Sequence, residues 1–144
     1  MKCPKCQNMD SKVVDSRMIE DGQVVRRRRE CEFCAHRFTT FERIGIVELI
    51  VVKKDGTKEM YDRAKLKRAV MLAFAKRPIH PEEIDKMISS LEIKWQAESP
   101  EISSKQIWSD ILASLKDIDL VVYVRFASVY QDFDSFEDFK RFIV

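Results

Sequence analysis

The pattern of apolar positions changes once along the chain. Up to about Gly45 no apolar run repeats at helical spacing, and short β-prone pieces, Lys12-Val13-Val14 and Gln23-Val24-Val25, lie either side of Glu20-Asp21-Gly22. From Ile46 the sequence reads as a folded core. Gly45-Ile46-Val47-Glu48-Leu49-Ile50-Val51-Val52 is a β-branched strand, Asp55-Gly56 is a hairpin signal, and a second short strand runs to Tyr61. Asp62 suits a helix N-cap, and Leu66, Ala69, Val70, Ala73 and Phe74 follow on one face of a helix that stops before Pro78. Pro81 opens a second helix carrying Ile84, Met87, Ile88, Leu91 and Trp95. Ser103 or Ser104 caps a third, carrying Ile107, Ile111, Leu112 and Leu115. Residues Leu120 to Tyr130 are apolar on nearly every side and predict a central helix, with a strand as the alternative. Phe133, Phe136, Phe139 and Phe142 give a short final helix an aromatic side that either packs back or meets a partner.

The expected fold is therefore α+β: a small antiparallel β module over 1–45, a β-hairpin with a helical bundle over 46–136, and a C-terminal helix or tail over 137–144. The first module is too poor in apolar residues for a core of its own, and a unit that small normally needs a staple. Its four cysteines supply one.

Composition sharpens this picture. The 144 residues are 45% hydrophobic, a globular proportion, and 26 Lys and Arg nearly cancel 24 Asp and Glu. The small positive excess lies in residues 1–45, which hold ten basic and seven acidic side chains. Met1-Lys2-Cys3-Pro4-Lys5-Cys6 has no apolar stretch behind it, which predicts no secretory signal, and no window predicts a membrane span. A reducing cytoplasm is the expected location, and there clustered cysteines are more often metal ligands than disulfides.

Cys3-x-x-Cys6 and Cys31-x-x-Cys34 are two knuckles that can each grip one ion, and four thiolates fill the tetrahedral shell of a structural Zn²⁺. The alternative for one pair is a redox dithiol, which normally opens a helix in an α/β unit that this segment lacks. His36, two residues past Cys34, could replace a cysteine as ligand, but four cysteines already close the shell. Between the knuckles runs Arg26-Arg27-Arg28-Arg29, with Lys12, Arg17 and Arg37 nearby. If residues 24–30 form a strand, Arg26 and Arg28 point one way while Arg27 and Arg29 point the other. One pair could then contact phosphates or guanine edges while the other pairs with acids, so nucleic acid and a solvated face both stay open. A zinc tetrathiolate carries a charge of minus two, so any such binding must come from local clustering and several copies.

In the second module, Lys53, Lys54 and Lys58 surround the hairpin turn, followed by Glu59 and by Lys65 at a helix start. They could surround an anionic ligand or merely solubilise a hairpin. The chain has neither G-x-x-x-x-G-K-[ST] nor G-x-G-x-x-G, which excludes the common phosphate cradles.

Cys-x-x-Cys at 3–6, Asp15-Ser16-Arg17 and the run from Arg26 through Cys31-Glu32-Phe33-Cys34-Ala35-His36-Arg37-Phe38-Thr39-Thr40-Phe41-Glu42 resemble the zinc ribbon of the NrdR family of bacterial ribonucleotide reductase repressors. Val51-Val52-Lys53-Lys54-Asp55-Gly56, Lys76-Arg77-Pro78 and Val124 to Tyr130 resemble that family's ATP-cone. The resemblance spans nearly the whole chain in order. It implies a cytoplasmic, non-enzymatic repressor: one structural Zn²⁺ on Cys3, Cys6, Cys31 and Cys34, and a homo-oligomer that senses ATP and dATP and binds operator boxes in double-stranded DNA upstream of reductase genes. It nominates Lys53, Lys54 and Lys65 for the triphosphate and Val51, Glu59, Tyr123 and Tyr130 for the nucleoside, although both tyrosines can equally be core. DNA contact falls to Arg17, Arg26, Arg27, Arg28, Arg29, Arg37 and Thr40. Two positions depart from the family pattern: Lys54 replaces a common arginine, giving a point charge for a bidentate fork, and Tyr61 replaces phenylalanine, adding a hydroxyl that needs a partner.

Other classes stay in view: a nucleotide hydrolase, a regulatory subunit acting on the reductase directly, and an RNA-binding zinc ribbon. Against hydrolysis, only Glu59 and Asp62 are placed to hold a metal near the lysines.

Overall fold

A computed structural model describes residues 1–45 and 48–144. The chain divides into two units, Met1–Gly45 and Ile46–Val144.

The first unit is a three-stranded antiparallel sheet, β1 (Ser11–Ile19), β2 (Val24–Cys31) and β3 (Arg37–Arg43), in the order β1-β2-β3. A tight helical turn at Glu20–Gly22 joins β1 to β2, with Gly22 at φ +88. The sequence pattern shows only pieces of β1 and β2 and misses β3, because these strands are polar on both faces and carry no period-2 apolar signal. The fully buried apolar side chains of the unit are Cys3, Val24 and Cys31. The sheet thus has almost no oily core, and its cysteine end must supply the cohesion.

The second unit pairs β4 (Ile50–Val52) with antiparallel β5 (Lys58–Met60) and with parallel β6 (Glu101–Ser103), in the order β5-β4-β6. The predicted start of β4 at Ile46 and Val47 lies outside the described residues. At the hairpin turn the Gly56 N–H donates to the Lys53 carbonyl at 3.0 Å, and Gly56 takes φ +84, where a side chain would be strained. Asp55 accepts from the Thr57 N–H at 2.9 Å and locks the turn.

Five helices complete the described part of this unit: α1 (Arg63–Ala73), α2 (Pro81–Glu98), α3 (Ser104–Ile118), α4 (Leu120–Tyr130) and α5 (Phe136–Ile143). Caps set their starts. Asp62 accepts from Lys65 N–H, Ser103 from Gln106 N–H, Asp119 from Val121 and Val122 N–H, and Ser135 from Asp138 N–H. Their inward stripes, with Leu66 and Val70 on α1, Ile84, Ile88 and Trp95 on α2, Ile107, Ile111 and Leu115 on α3, and Val122 and Phe126 on α4, form one core with Val51 and Ile102.

Two expectations change here. β6 is absent from the sequence reading because its three residues, Glu-Ile-Ser, are too short for a pattern; Ile102 alone enters the core. Helix α4 is not apolar-buried all round, since Leu120, Val121 and Val129 are exposed. Of the four phenylalanines, Phe142 stacks on Tyr123 at 5.3 Å and Phe133 touches both Phe139 and Phe142, while Phe136 faces outward. Phe133 precedes α5, and a three-residue repeat drifts around a 3.6-residue helix, so the four do not share one helix side.

Candidate functional sites

The two knuckles are built alike. The backbone turns back after each second cysteine through a residue at positive φ, Gln7 (65) and Ala35 (56), a conformation costing a non-glycine residue about 1 kcal/mol. Cys3 takes an N–H bond from Gln7 at 2.9 Å and Cys31 one from Ala35 at 3.0 Å, both at the carbonyl oxygen. The two turns bring four Sγ atoms within 4.8 Å of one another, with Cys3 to Cys34 at 3.7 Å and Cys6 to Cys31 at 3.5 Å. A tetrahedral zinc with bonds of about 2.3 Å sets sulfur neighbours about 3.8 Å apart, so this donor set fits it. Protonation fits as well. Burial opposes ionising Cys3, but N–H groups of Cys6 and Lys5 and the adjacent thiols bring it down to about 7. Cys6 is pushed up to about 12: the Asn8 N–H favours its thiolate, yet burial and the thiols of Cys34, Cys31 and Cys3 outweigh it. Four such thiols can all lose their protons only if a cation takes up their charge. His36 is outside the cluster and stacks near Phe38 at 6.5 Å.

The arginines lie on the central strand. The register pairs Arg26 with Arg17 and Phe41, Arg27 with Ser16 and Thr40, Arg28 with Asp15 and Thr39, and Arg29 with Val13 and Phe38. Directly paired residues share a face, so Arg26 and Arg28 lie with Arg17 and Arg37, while Arg27 and Arg29 lie with Thr40. The second face is tied down. Arg27 pairs with Glu42 at 2.5 Å, and Arg29 Nε donates to Thr40 Oγ1 at 3.1 Å. On the first face Arg17 pairs with Asp15 at 3.1 Å, and Glu30 holds both Lys12 at 3.1 Å and Arg37 at 2.8 Å. Those two cations keep the Glu30 carboxyl below the usual carboxylate range, Arg37 most strongly. Neither Arg26 nor Arg28 has an ion-pair or hydrogen-bond partner among the described residues.

In the second unit a cavity of about 310 Å³ opens between β4, β5, α1 and α3. Lys53, Glu59 and Lys65 stand at it with Val51, Tyr61 and Trp108. The two Glu59 oxygens bond Lys65 Nζ at 3.0 Å and Lys53 Nζ at 3.1 Å, and these lysines, Lys65 first, lower the carboxyl's pKa. Both ammonium groups thus already share one anion, and the first turn of α1 beside them presents the positive end of its dipole.

Val51, Lys53, Glu59 and Lys65 therefore come together, whereas the remaining three nominees stand elsewhere. Lys54 and Tyr130 line an adjoining cleft of about 480 Å³, where Lys54 pairs with Asp132. Tyr123 lines neither cavity and packs on Phe142. Trp108 lines both cavities and stacks on Tyr130 at 4.2 Å. No motif marks it and the sequence reading does not single it out; the hairpin strands and α1 opposite α3 make it a wall of the first cavity. The Tyr61 hydroxyl finds its partner in Glu92, at 2.7 Å, and its pKa is raised by burial and by that carboxylate.

Residues 1–42 match the family model described as the N-terminal domain of transcriptional repressor NrdR-like proteins, and residues 49–135 match the ATP cone domain. The chain is 46% identical over 144 residues to the transcriptional repressor NrdR of Maricaulis maris, covering 99% of this chain and 89% of that one. The proteins of the same name from Paracoccus denitrificans and Sphingopyxis alaskensis are also 46% identical, each over 99% of this chain and over 94% and 92% of their own.

Proposed function

The chain belongs to the NrdR family of transcriptional repressors, and on that premise we propose that it represses ribonucleotide reductase genes by binding operator boxes in duplex DNA under the control of ATP and dATP. The observation that carries this reading is the Lys53–Glu59–Lys65 cluster at a cavity that also reaches Val51, Tyr61 and Trp108. Two cations and a helix N-terminus suit a polyphosphate, and an apolar and aromatic interior suits a nucleoside. Lys53 and Lys65 take the phosphates and exchange Glu59 for the ligand; Val51, Tyr61 and Trp108 surround the base or sugar. Lys54 and Tyr130 act from the adjoining cleft rather than in the first cavity.

Cys3, Cys6, Cys31 and Cys34 hold the structural zinc, which supplies the crosslink that an almost coreless sheet lacks. The sheet's arginines then meet DNA. One ribbon reaches few phosphates and binds weakly, so a homo-oligomer presents several to one promoter. Control is population shift: ATP and dATP stabilise assemblies of different DNA competence, which requires a different affinity of each nucleotide for each assembly. The two differ by one 2′-OH, so discrimination rests on a hydrogen bond or a close apolar contact available to one of them. No helix among the described residues is long and apolar enough to cross a membrane.

Calorimetry with ATP and dATP on the wild type and Lys53→Ala tests the reading. Binding of both by the wild type and its loss in the variant supports it. Hydrolytic turnover abolished by Glu59→Gln would instead favour an enzyme.

A further inference from the structure

We infer that only one face of the ribbon sheet reads DNA, the face of Arg26 and Arg28 with Arg17, Arg37 and Lys12, and that Arg27 and Arg29 fasten the sheet instead. The inference rests on the DNA-binding reading above and adds to it a division of labour among residues that sequence alone treats alike.

Three observations agree. First, the register alternates the four arginines, since Arg26 to Arg29 pair with the consecutive residues Phe41 to Phe38 of β3, and on β1 with Arg17, Ser16, Asp15 and, past one skipped residue, Val13. The only irregularity in β1 falls between Val13 and Asp15. Second, polar partners divide the four arginines of β2 by face, although Arg17, Lys12 and Arg37 beside Arg26 and Arg28 are paired with Asp15 and Glu30. Arg27 is neutralised by Glu42 and Arg29 is held by Thr40, and a guanidinium engaged in this way has to break a charge-assisted bond before it can serve a phosphate. Arg26 and Arg28 have no such bond to break. Third, along the middle of β3 the Arg26 face exposes Arg37, Thr39 and Phe41, while on the other face Phe38 and Thr40 are half covered and the exposed Glu42 is the partner of Arg27.

The geometry suits a duplex. Arg26 and Arg28 are two residues apart on one strand, which separates their side chains by about 6.8 Å. That is close to twice the rise of about 3.4 Å per nucleotide on one DNA strand, so both can engage one backbone or adjacent base edges. Thr39 and Phe41, paired with Arg28 and Arg26, then supply a hydroxyl and an exposed ring among the charges. Phe41 and Thr39 become specificity candidates, and Thr40 leaves the contact set.

Binding of the zinc-loaded full chain to a reductase promoter duplex and to an unrelated duplex, in a salt series with nucleotide present, decides the matter. Arg26→Ala with Arg28→Ala is expected to lower affinity at least tenfold and to make the salt dependence shallower by roughly two phosphate contacts per ribbon. Arg27→Ala with Arg29→Ala, provided zinc stoichiometry is intact, is expected to stay within threefold of wild type. Two milder variants cover the case where the second pair does not fold. Asp15→Asn removes an acid from the reading face and frees Arg17, so it should tighten binding, whereas Glu42→Gln frees Arg27 on the other face and should change nothing. Tightening by Glu42→Gln with no response to Asp15→Asn would assign DNA to the opposite face and overturn the inference. A wild-type chain that binds neither duplex would overturn the DNA reading itself.

Discussion

The hydroxyl of Tyr61, in the wall of the cavity that Lys53 and Lys65 line, donates a 2.7 Å hydrogen bond to the carboxylate of Glu92, a buried residue of α2. The same carboxylate pairs with Arg63, whose guanidinium also donates to the Asp85 carbonyl and to Ser89 Oγ, each at 3.1 Å. The end of β5, the first turn of α1 and the middle of α2 are thereby joined through one buried polar cluster, beside a Trp95 ring in edge contact with Tyr61.

Removing the hydroxyl and removing the carboxylate should therefore have unequal effects. Tyr61→Phe leaves Glu92 with Arg63 and should cost about 1 kcal/mol. Glu92→Ala leaves the partly buried Arg63 guanidinium with only the more distant Asp85 carboxylate, at 3.5 Å, and should cost about 3 kcal/mol. Urea unfolding of both variants checks the order. Equal losses would mean that the hydroxyl, not the ion pair, organises the cluster.

Zinc removal should act on one unit alone. Cys31→Ser, or chelation of the wild type, is expected to abolish the β-sheet signal of residues 1–45 while leaving the helical core around Ile88 and Phe126 folded, as read by amide exchange. Metal content unchanged in Cys31→Ser would remove that residue from the ligand set.

Trp108 gives the cavity its own reporter. The chain has two tryptophans, and Trp95 is buried in the core while Trp108 lines both cavities. Adding ATP should change the emission of the wild type and of Trp95→Phe, and should leave Trp108→Phe silent. A full response in Trp108→Phe would place the ligand elsewhere.

Asp119 predicts an acid limb of stability. It caps α4 and pairs with Arg77 at 2.6 Å, and Arg77, then the Val122 and Val121 N–H groups, hold its carboxyl below its usual value. A depressed folded-state pKa means that its contribution is complete above the unfolded carboxylate value near 4 and fades as pH falls through the folded one. Asp119→Asn should melt lower than wild type at pH 7, and the two curves should converge as pH falls through the depressed folded-state pKa. A gap that persists at low pH would show that the effect is not electrostatic.

The legible features were those with local causes. Two C-x-x-C pairs, Asp55-Gly56 at a turn, Asp62 and Ser103 at helix starts and the apolar stripes of α1 to α3 each need only neighbours in sequence, and the structure has them in place. What escaped depends on partners far along the chain. β3 has no apolar alternation because its two faces meet arginines rather than a core, and β6 exists only because Ile102 fits beside Val51. Lys53 and Lys54 look equivalent in sequence, yet adjacent residues of a hairpin point to different cavities, one beside Glu59 and the other beside Asp132. Trp108 carries no signal in the sequence and Tyr61 only a mild departure from the family pattern, and tertiary packing makes both cavity walls.

The central claim, that nucleotide in the second unit governs DNA binding by the first, is tested most directly by titrating a reductase promoter duplex with zinc-loaded protein that carries no nucleotide, ATP or dATP, alongside mass measurement of each assembly. The account predicts different DNA affinities and different assembly masses with ATP and dATP, and loss of both differences in Lys65→Ala at unchanged zinc content. Equal DNA affinity in all three nucleotide states would contradict it.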